Sequence, residues 1–188
     1  MSSASSSPLA RALLLVVDLQ QPFLAATPGA ETLLRRTSLA IATASGLGLP
    51  VVFTEQVPAK LGPTRPELLS LAGTKPTVFA KDAFSALDSA QLTEFLEVHN
   101  IEHVLLAGIE TPICIYQTSI DLIGSDRQVT LLTDCLGGRR PDDCASALGY
   151  LARLGCHPLP AETVFYSILK TTKHPFFRDY TKLVKQYA

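Results

Sequence analysis

Three residues of this 188-residue chain have the types to run covalent chemistry together: Asp18, Lys81 and Cys114. A thiol nucleophile needs a proton acceptor, and a carboxylate supplies one. It also gains from a nearby cation that favours the thiolate. Asp18 follows the apolar run Leu13 to Val17, Lys81 lies between Ala80 and Asp82, and Cys114 follows Glu110-Thr111-Pro112-Ile113. Thr111 can cap a helix and Pro112 can be its first residue, which puts Cys114 in the first turn. There the helix dipole and the free N–H groups favour a thiolate, and the same N–H groups can hold an oxyanion. Each residue also has a plain reading. Asp18 can be a loop anchor, Lys81 a solvated side chain, and Cys114 a small core residue. Those alternatives stay open from position alone.

Other chemistries find less support. Cys135, Cys144 and Cys156 read as packing residues, and no CxxC pair is present. His99 and His103 have metal-like spacing, but Asn100 should end the helix between them. His157 and His174 have no acidic or cysteine partner in sequence. No GxGxxG, GxxxxGK[ST] or HExxH motif occurs. The residues therefore predict no metal and no cofactor.

These side chains need elements to position them. Apolar runs at Leu13 to Leu19, Pro50 to Glu55, Val78 to Asp82, His103 to Ile109 and Val129 to Cys135 read as strands buried on both faces. Cys156 to Ala161 holds two prolines and reads as an edge strand. Helical patterns lie between them: one holds Leu33, Ala40, Ala44 and Leu47, and others end near Asn100, at Gly124 and at Gly155. A short helix, Pro66 to Leu71, interrupts a Pro-rich loop. The order predicts an α/β fold: a three-layer α/β/α sandwich with a mainly parallel sheet of about six strands. In such sheets ligands bind beyond the carboxyl ends of the strands. That edge holds Asp18, Glu55, Lys81, the Gly108 to Cys114 turn and Asp134.

Composition bounds the rest. Hydrophobic residues are 47% and charged residues 18%, which excludes disorder for most of the chain. The net charge of −1 disfavours nucleic-acid partners. No apolar run is long enough to cross a membrane. Residues 1–11 read as a disordered Ser-rich tail, and 12–188 as one domain. The tail lacks the apolar core of a secretory signal. Its single arginine is sparse for a mitochondrial presequence, so the expected location is cytoplasmic, with free thiols.

The motifs LLLVVDLQQPF, VFAKDAFSAL and LLAGIETPICIYQTSIDLI, in this order and spacing, resemble the isochorismatase-like cysteine hydrolases. That family includes nicotinamidases, N-carbamoylsarcosine amidases and isochorismatases. The resemblance runs from about Leu13 to Tyr187. FTEQVPAKLGP and KHPFFRDYTKLVK look most like its eukaryotic isochorismatase-domain-containing branch. It implies a catalytic triad of Asp18, Lys81 and Cys114, and a cis peptide at Ile109–Glu110 whose turn, with Cys114, forms an oxyanion hole. It also implies hydrolysis of a small amide, ureido or related C–N bond through a Cys114 thioester. Nicotinamidases carry an Asp-x-His zinc site after the second strand; here that stretch reads Thr54-Glu55-Gln56-Val57-Pro58. True isochorismatases lack the cysteine and cleave a vinyl ether. Phe23, Glu55 and Tyr116 are candidates for the pocket of a small-molecule substrate, with the Lys60 to Leu71 and Gly137 to Arg140 loops. The family also implies a homo-oligomer, a dimer or higher. The apolar groups Val164, Phe165, Ile168, Phe176 and Phe177 near the C-terminus fit that, unless they fold back on their own sheet. The rivals are a catalytically idle scaffold or binding protein, a receiver-like switch domain, a vinyl-ether hydrolase and a nuclease.

Overall fold

The structure is a computed structural model that describes residues 11–187. The expected tail, apart from Arg11, lies outside the described residues. Arg11 belongs to the domain instead: its carbonyl accepts from the N–H groups of Glu102 and His103, and its side chain pairs with Glu102.

Six strands form one sheet: β1 (Ala12–Val17), β2 (Val51–Gln56), β3 (Thr77–Lys81), β4 (His103–Ile109), β5 (Gln128–Gly137) and β6 (His157–Leu159). Their order is β3-β2-β1-β4-β5-β6, and all pairings are parallel. The Pro-bearing β6 does lie at an edge, where a missing N–H leaves no ladder broken. The chain runs outward from β1 to β3 and then crosses to β4 on the other side of β1. That reversal makes the β1–β4 seam the switch point, where a crevice opens beyond the carboxyl ends.

Pleating divides the core between two layers. Leu14 and Val16 of β1 pack with α2 (Ala30–Gly46), α4 (Pro66–Leu71), α8 (Ala161–Leu169) and α9 (Phe177–Tyr187). The short α1 (Gln21–Ala25) adds Leu24 to that layer. Leu13, Leu15 and Val17 pack with α5 (Ala90–Val98), α6 (Tyr116–Gly124) and α7 (Pro141–Arg153). Single-turn α3 (Pro58–Leu61) lies in the long loop before α4.

The C-terminal apolar groups turn inward. Val164 and Phe165 are buried, and Ile168, Phe176 and Phe177 pack against the first layer. Those five groups therefore give no surface argument for oligomerisation. Asp134 is a fastener: its carboxylate accepts from Arg36 Nε at 2.8 Å and from the Ala161 N–H at 2.7 Å, tying α2 and α8 to β5.

Candidate active site

The two core layers meet different strand-end side chains. On β2, Val52 faces the second layer, so Thr54 and Gln56 follow it by the period of two, while Phe53 and Glu55 face the other way. On β3, Phe79 packs on the second layer and Lys81 shares its face. Strict alternation along β1 would turn residue 18 toward the first layer. The strand ends at Val17, however, and Asp18 takes a left-handed φ of 54°. Its carboxylate meets Thr54 and Lys81: Thr54 Oγ1 donates to Asp18 Oδ1 at 2.9 Å, and Lys81 Nζ pairs with Asp18 Oδ2 at 2.7 Å. Both charged side chains are fully buried.

Cys114 arrives from the other side of the seam. After β4 the chain makes a wide π-type turn, Thr111–Ile115, before α6 begins. The expected Thr111 cap is absent; its hydroxyl donates to the Gly137 carbonyl at 3.0 Å and ties the turn to the end of β5. The Ile109–Glu110 peptide bond is cis. Cys114 Sγ lies 3.8 Å from Lys81 Nζ, so the thiol sits beside the Asp18–Lys81 pair. Gly108 lets the seam close, because at its φ of 127° a Cβ would sit 2.1 Å from the Val17 carbonyl oxygen.

Burial decides the protonation states. It pushes the Cys114 thiol up to about 11; the Asp18 charge adds to this, and Lys81 only partly offsets it. The expectation that Lys81 and the helix terminus hold this thiol low is therefore corrected, since desolvation outweighs them. Burial also raises the Asp18 carboxyl from its ordinary value, against the opposing pull of Lys81 and Thr54. The resting site therefore holds a neutral thiol beside the buried Asp18–Lys81 contact, not a preformed thiolate.

Sequence reasoning missed the residues that hold Lys81. Gln56 Oε1 accepts from Lys81 Nζ at 2.5 Å, and the Ala83 and Phe84 carbonyls accept at 3.1 and 3.2 Å. Gln20 in turn fixes the Gln56 backbone, accepting its N–H at 2.8 Å and donating to its carbonyl at 3.0 Å. Their signal was position: Gln56 ends β2 and Gln20 lies three residues past the end of β1, where a purely structural residue is seldom a buried amide.

Cys114 opens onto a cavity of about 390 Å³. Pro22, Phe23, Ala26, Phe84 and Ile113 give it apolar walls, and Gln56, Glu110 and Arg139 add polar groups. Of the three pocket candidates, Phe23 lines it. Glu55 does not, because the pleat turns it toward the loop, where its Oε1 accepts from the Thr64 N–H at 2.7 Å. Tyr116 does not either; its ring pairs with Tyr150 at 6.0 Å. The Lys60 to Leu71 loop also stays outside the lining, while the Gly137 to Arg140 loop contributes Arg139.

Residues 12–163 match the isochorismatase domain model. The chain belongs to the isochorismatase family. It is similar to isochorismatase domain-containing protein 1 of Danio rerio, at 36% identity over 142 residues, 76% of this chain. That match spans 50% of the zebrafish protein's own length. Isochorismatase domain-containing protein 2A of Mus musculus is 30% identical over 174 residues, covering 93% of this chain and 82% of the mouse protein. Among solved structures, one described as MAR1 ribonuclease from Caenorhabditis elegans superposes with a TM-score of 0.89 at 26% identity, covering 94% of this chain and 91% of that one. The YcaC gene product of Escherichia coli, described as an octameric hydrolase of unknown specificity, shares the fold with a TM-score of 0.83 at 18% identity, covering 100% of this chain and 98% of that one.

Against the family's zinc-bearing members, the decisive stretch is the end of β2. Glu55 is engaged by Thr64, Gln56 by Lys81, and no imidazole comes from that loop. These residues do not fit a zinc site.

Proposed function

We propose that this isochorismatase-family chain is a cysteine hydrolase of a small amide, ureido or related C–N bond. The observation that carries the reading is the buried cluster of Asp18, Lys81 and Cys114 beneath one apolar cavity. Because the resting thiol is neutral, attack and proton transfer run together. Cys114 Sγ bonds to the substrate carbonyl carbon as its proton passes to Asp18. N–H groups of the Glu110 to Cys114 turn hold the oxyanion. Asp18 returns the proton to the leaving nitrogen, the C–N bond breaks, and a thioester and a free amine result. Water then attacks the thioester while Asp18 takes one of its protons. The acid leaves, and the proton returns to Sγ. The raised pKa of Asp18 makes it a stronger base than an exposed carboxylate. Lys81 stabilises Asp18 as an anion before each transfer.

Intact-mass spectrometry during turnover of a panel of small amides tests the reading. The expected result is an acyl adduct on Cys114, with Cys114→Ala and Asp18→Asn each losing at least about 10³-fold in rate. Hydrolysis that survives Cys114→Ala would sink it.

The nematode relative's description brings a second reading, RNA cleavage. The net charge of −1 weighs against it, because a polyphosphate backbone needs a basic surface. Metal-independent, Cys114-dependent cleavage of a labelled RNA would replace the amide reading. A homo-oligomer remains part of the proposal; Phe84 at the cavity and Val98 on α5 are 55% and 68% exposed, apolar groups of the kind a second copy covers.

A further inference from the structure

We propose that the Glu110–Arg139 ion pair sets the charge selectivity of the Cys114 cavity, and that its substrates are small amides uncharged on both sides of the scissile bond. This rests on the reading of Cys114 as the attacking atom.

The pair is held from both sides. Glu110 directly follows β4 and is almost wholly buried, its side chain 9% exposed, while Arg139 is 58% exposed and its Nε lies 2.7 Å from Glu110 Oε1. Arg139 sits on a tightly seated loop. A Cβ at Gly137 would meet Leu33 at 2.9 Å, and one at Gly138 would meet Cys144 Sγ at 2.7 Å. The Thr111 hydroxyl bonds the Gly137 carbonyl and joins this loop to the turn that carries Glu110 and Cys114. The backbones that carry the two partners are therefore tied to each other.

Among the described residues, the charged side chains that line or underlie the cavity are Glu110, Arg139, Asp18 and Lys81. They form two ion pairs and sum to zero, and Cys114 is neutral at rest. The remaining walls are mostly apolar. A charged ligand would leave water there without gaining an unpaired counterion, which is unfavourable. A neutral amide has no such penalty. Breaking the pair should re-tune the cavity in a predictable direction. Glu110→Gln frees a cation and admits anions; Arg139→Gln leaves a buried carboxylate unpaired and admits cations.

Alkylation rates at Cys114 read this charge directly, without a known substrate. Iodoacetamide and iodoacetate are near-isosteres that differ by one negative charge, and 2-bromoethylamine supplies a positive one. Rates at Cys114, followed by mass spectrometry and normalised to the urea-unfolded chain, should favour iodoacetamide over iodoacetate in the natural protein. Glu110→Gln should shrink that preference about tenfold and Arg139→Gln should widen it about tenfold, the scale of one charge roughly 10 Å away in a protein environment. Arg139→Gln should also speed 2-bromoethylamine. If Glu110→Gln fails to fold, Arg139→Gln alone carries the test. Normalised ratios that stay within twofold in every folded variant, or that move with the opposite sign, overturn the inference and leave the amide reading standing. A Cys114 inert to all three reagents overturns both.

Discussion

At Cys114, burial and the neighbouring charges fix when the residue reacts. A thiol pushed up to about 11 holds its proton across the working range. The proposed acceptor is Asp18, which must be a carboxylate to take that proton. Its folded pKa is raised by burial. Activity therefore falls as pH drops through that raised value, above the ordinary carboxylate range. It stays level upward until Cys114 itself ionises near 11, where the site loses the proton that the leaving nitrogen needs. Thr54 donates to the ionised form of Asp18 and holds the acid limb down. Thr54→Val should move that limb up by about one pH unit, the worth of one hydrogen bond to a charged group. A pH–rate profile checks it, and a limb that stays put or moves down contradicts the assignment of Asp18 as the base. Asp18, Lys81 and Cys114 were legible as candidates because each ends or follows an apolar run with a reactive group. Gln56 was not, because an amide has no reactivity of its own and its role exists only through Lys81.

The strands and their ends set the element scale. The bounds of β4 were readable residue for residue, since His103 to Ile109 is an unbroken apolar run buried on both faces. The short helix α4 was equally readable, with Pro66 at its first position. The turn after β4 was not. Thr111 looks like a cap, but its hydroxyl is captured by Gly137, a partner 26 residues away. Glu55 was misplaced for a similar reason. Which face a strand-end residue takes depends on the phase of the pleat, and an unbroken apolar run carries no phase. Gly108 is where two elements are brought closest. Its positive φ and its contact with the end of β1 allow no side chain. Gly108→Ala should lower unfolding stability by more than about 3 kcal/mol, combining backbone strain with a backbone clash. Denaturant titration measures it, and a loss below about 1 kcal/mol would mean that the β1–β4 seam can yield.

The whole molecule separates its imidazoles from its chemistry. The parallel sheet gathers Asp18, Lys81 and Cys114 at its carboxyl edge. His103 begins β4 at the opposite edge, where its Nε2 lies 2.8 Å from Thr130 Oγ1, and His157 begins β6. His99 follows α5 and stacks on Phe95 at 4.2 Å. His174 accepts the Phe176 N–H through Nδ1. Zinc in a catalytic site typically takes about three protein ligands, with His most often among them. Among the described residues, no group of three or more His, Cys, Asp or Glu side chains is placed to hold a metal ion. At the carboxyl edge Asp18 is already neutralised by Lys81, and Glu110 by Arg139. A divalent cation there would have to displace a buried ammonium or an arginine. The thiol mechanism, by contrast, needs only a base, a cation and oxyanion donors, which the edge can supply. The purified protein should therefore contain well under one zinc per chain by elemental analysis. Prolonged EDTA treatment should leave the proposed amide hydrolysis unchanged. Zinc at one per chain, with activity lost on chelation and restored by the metal, would overturn the metal-free reading and return the chain to the zinc-bearing branch of its family.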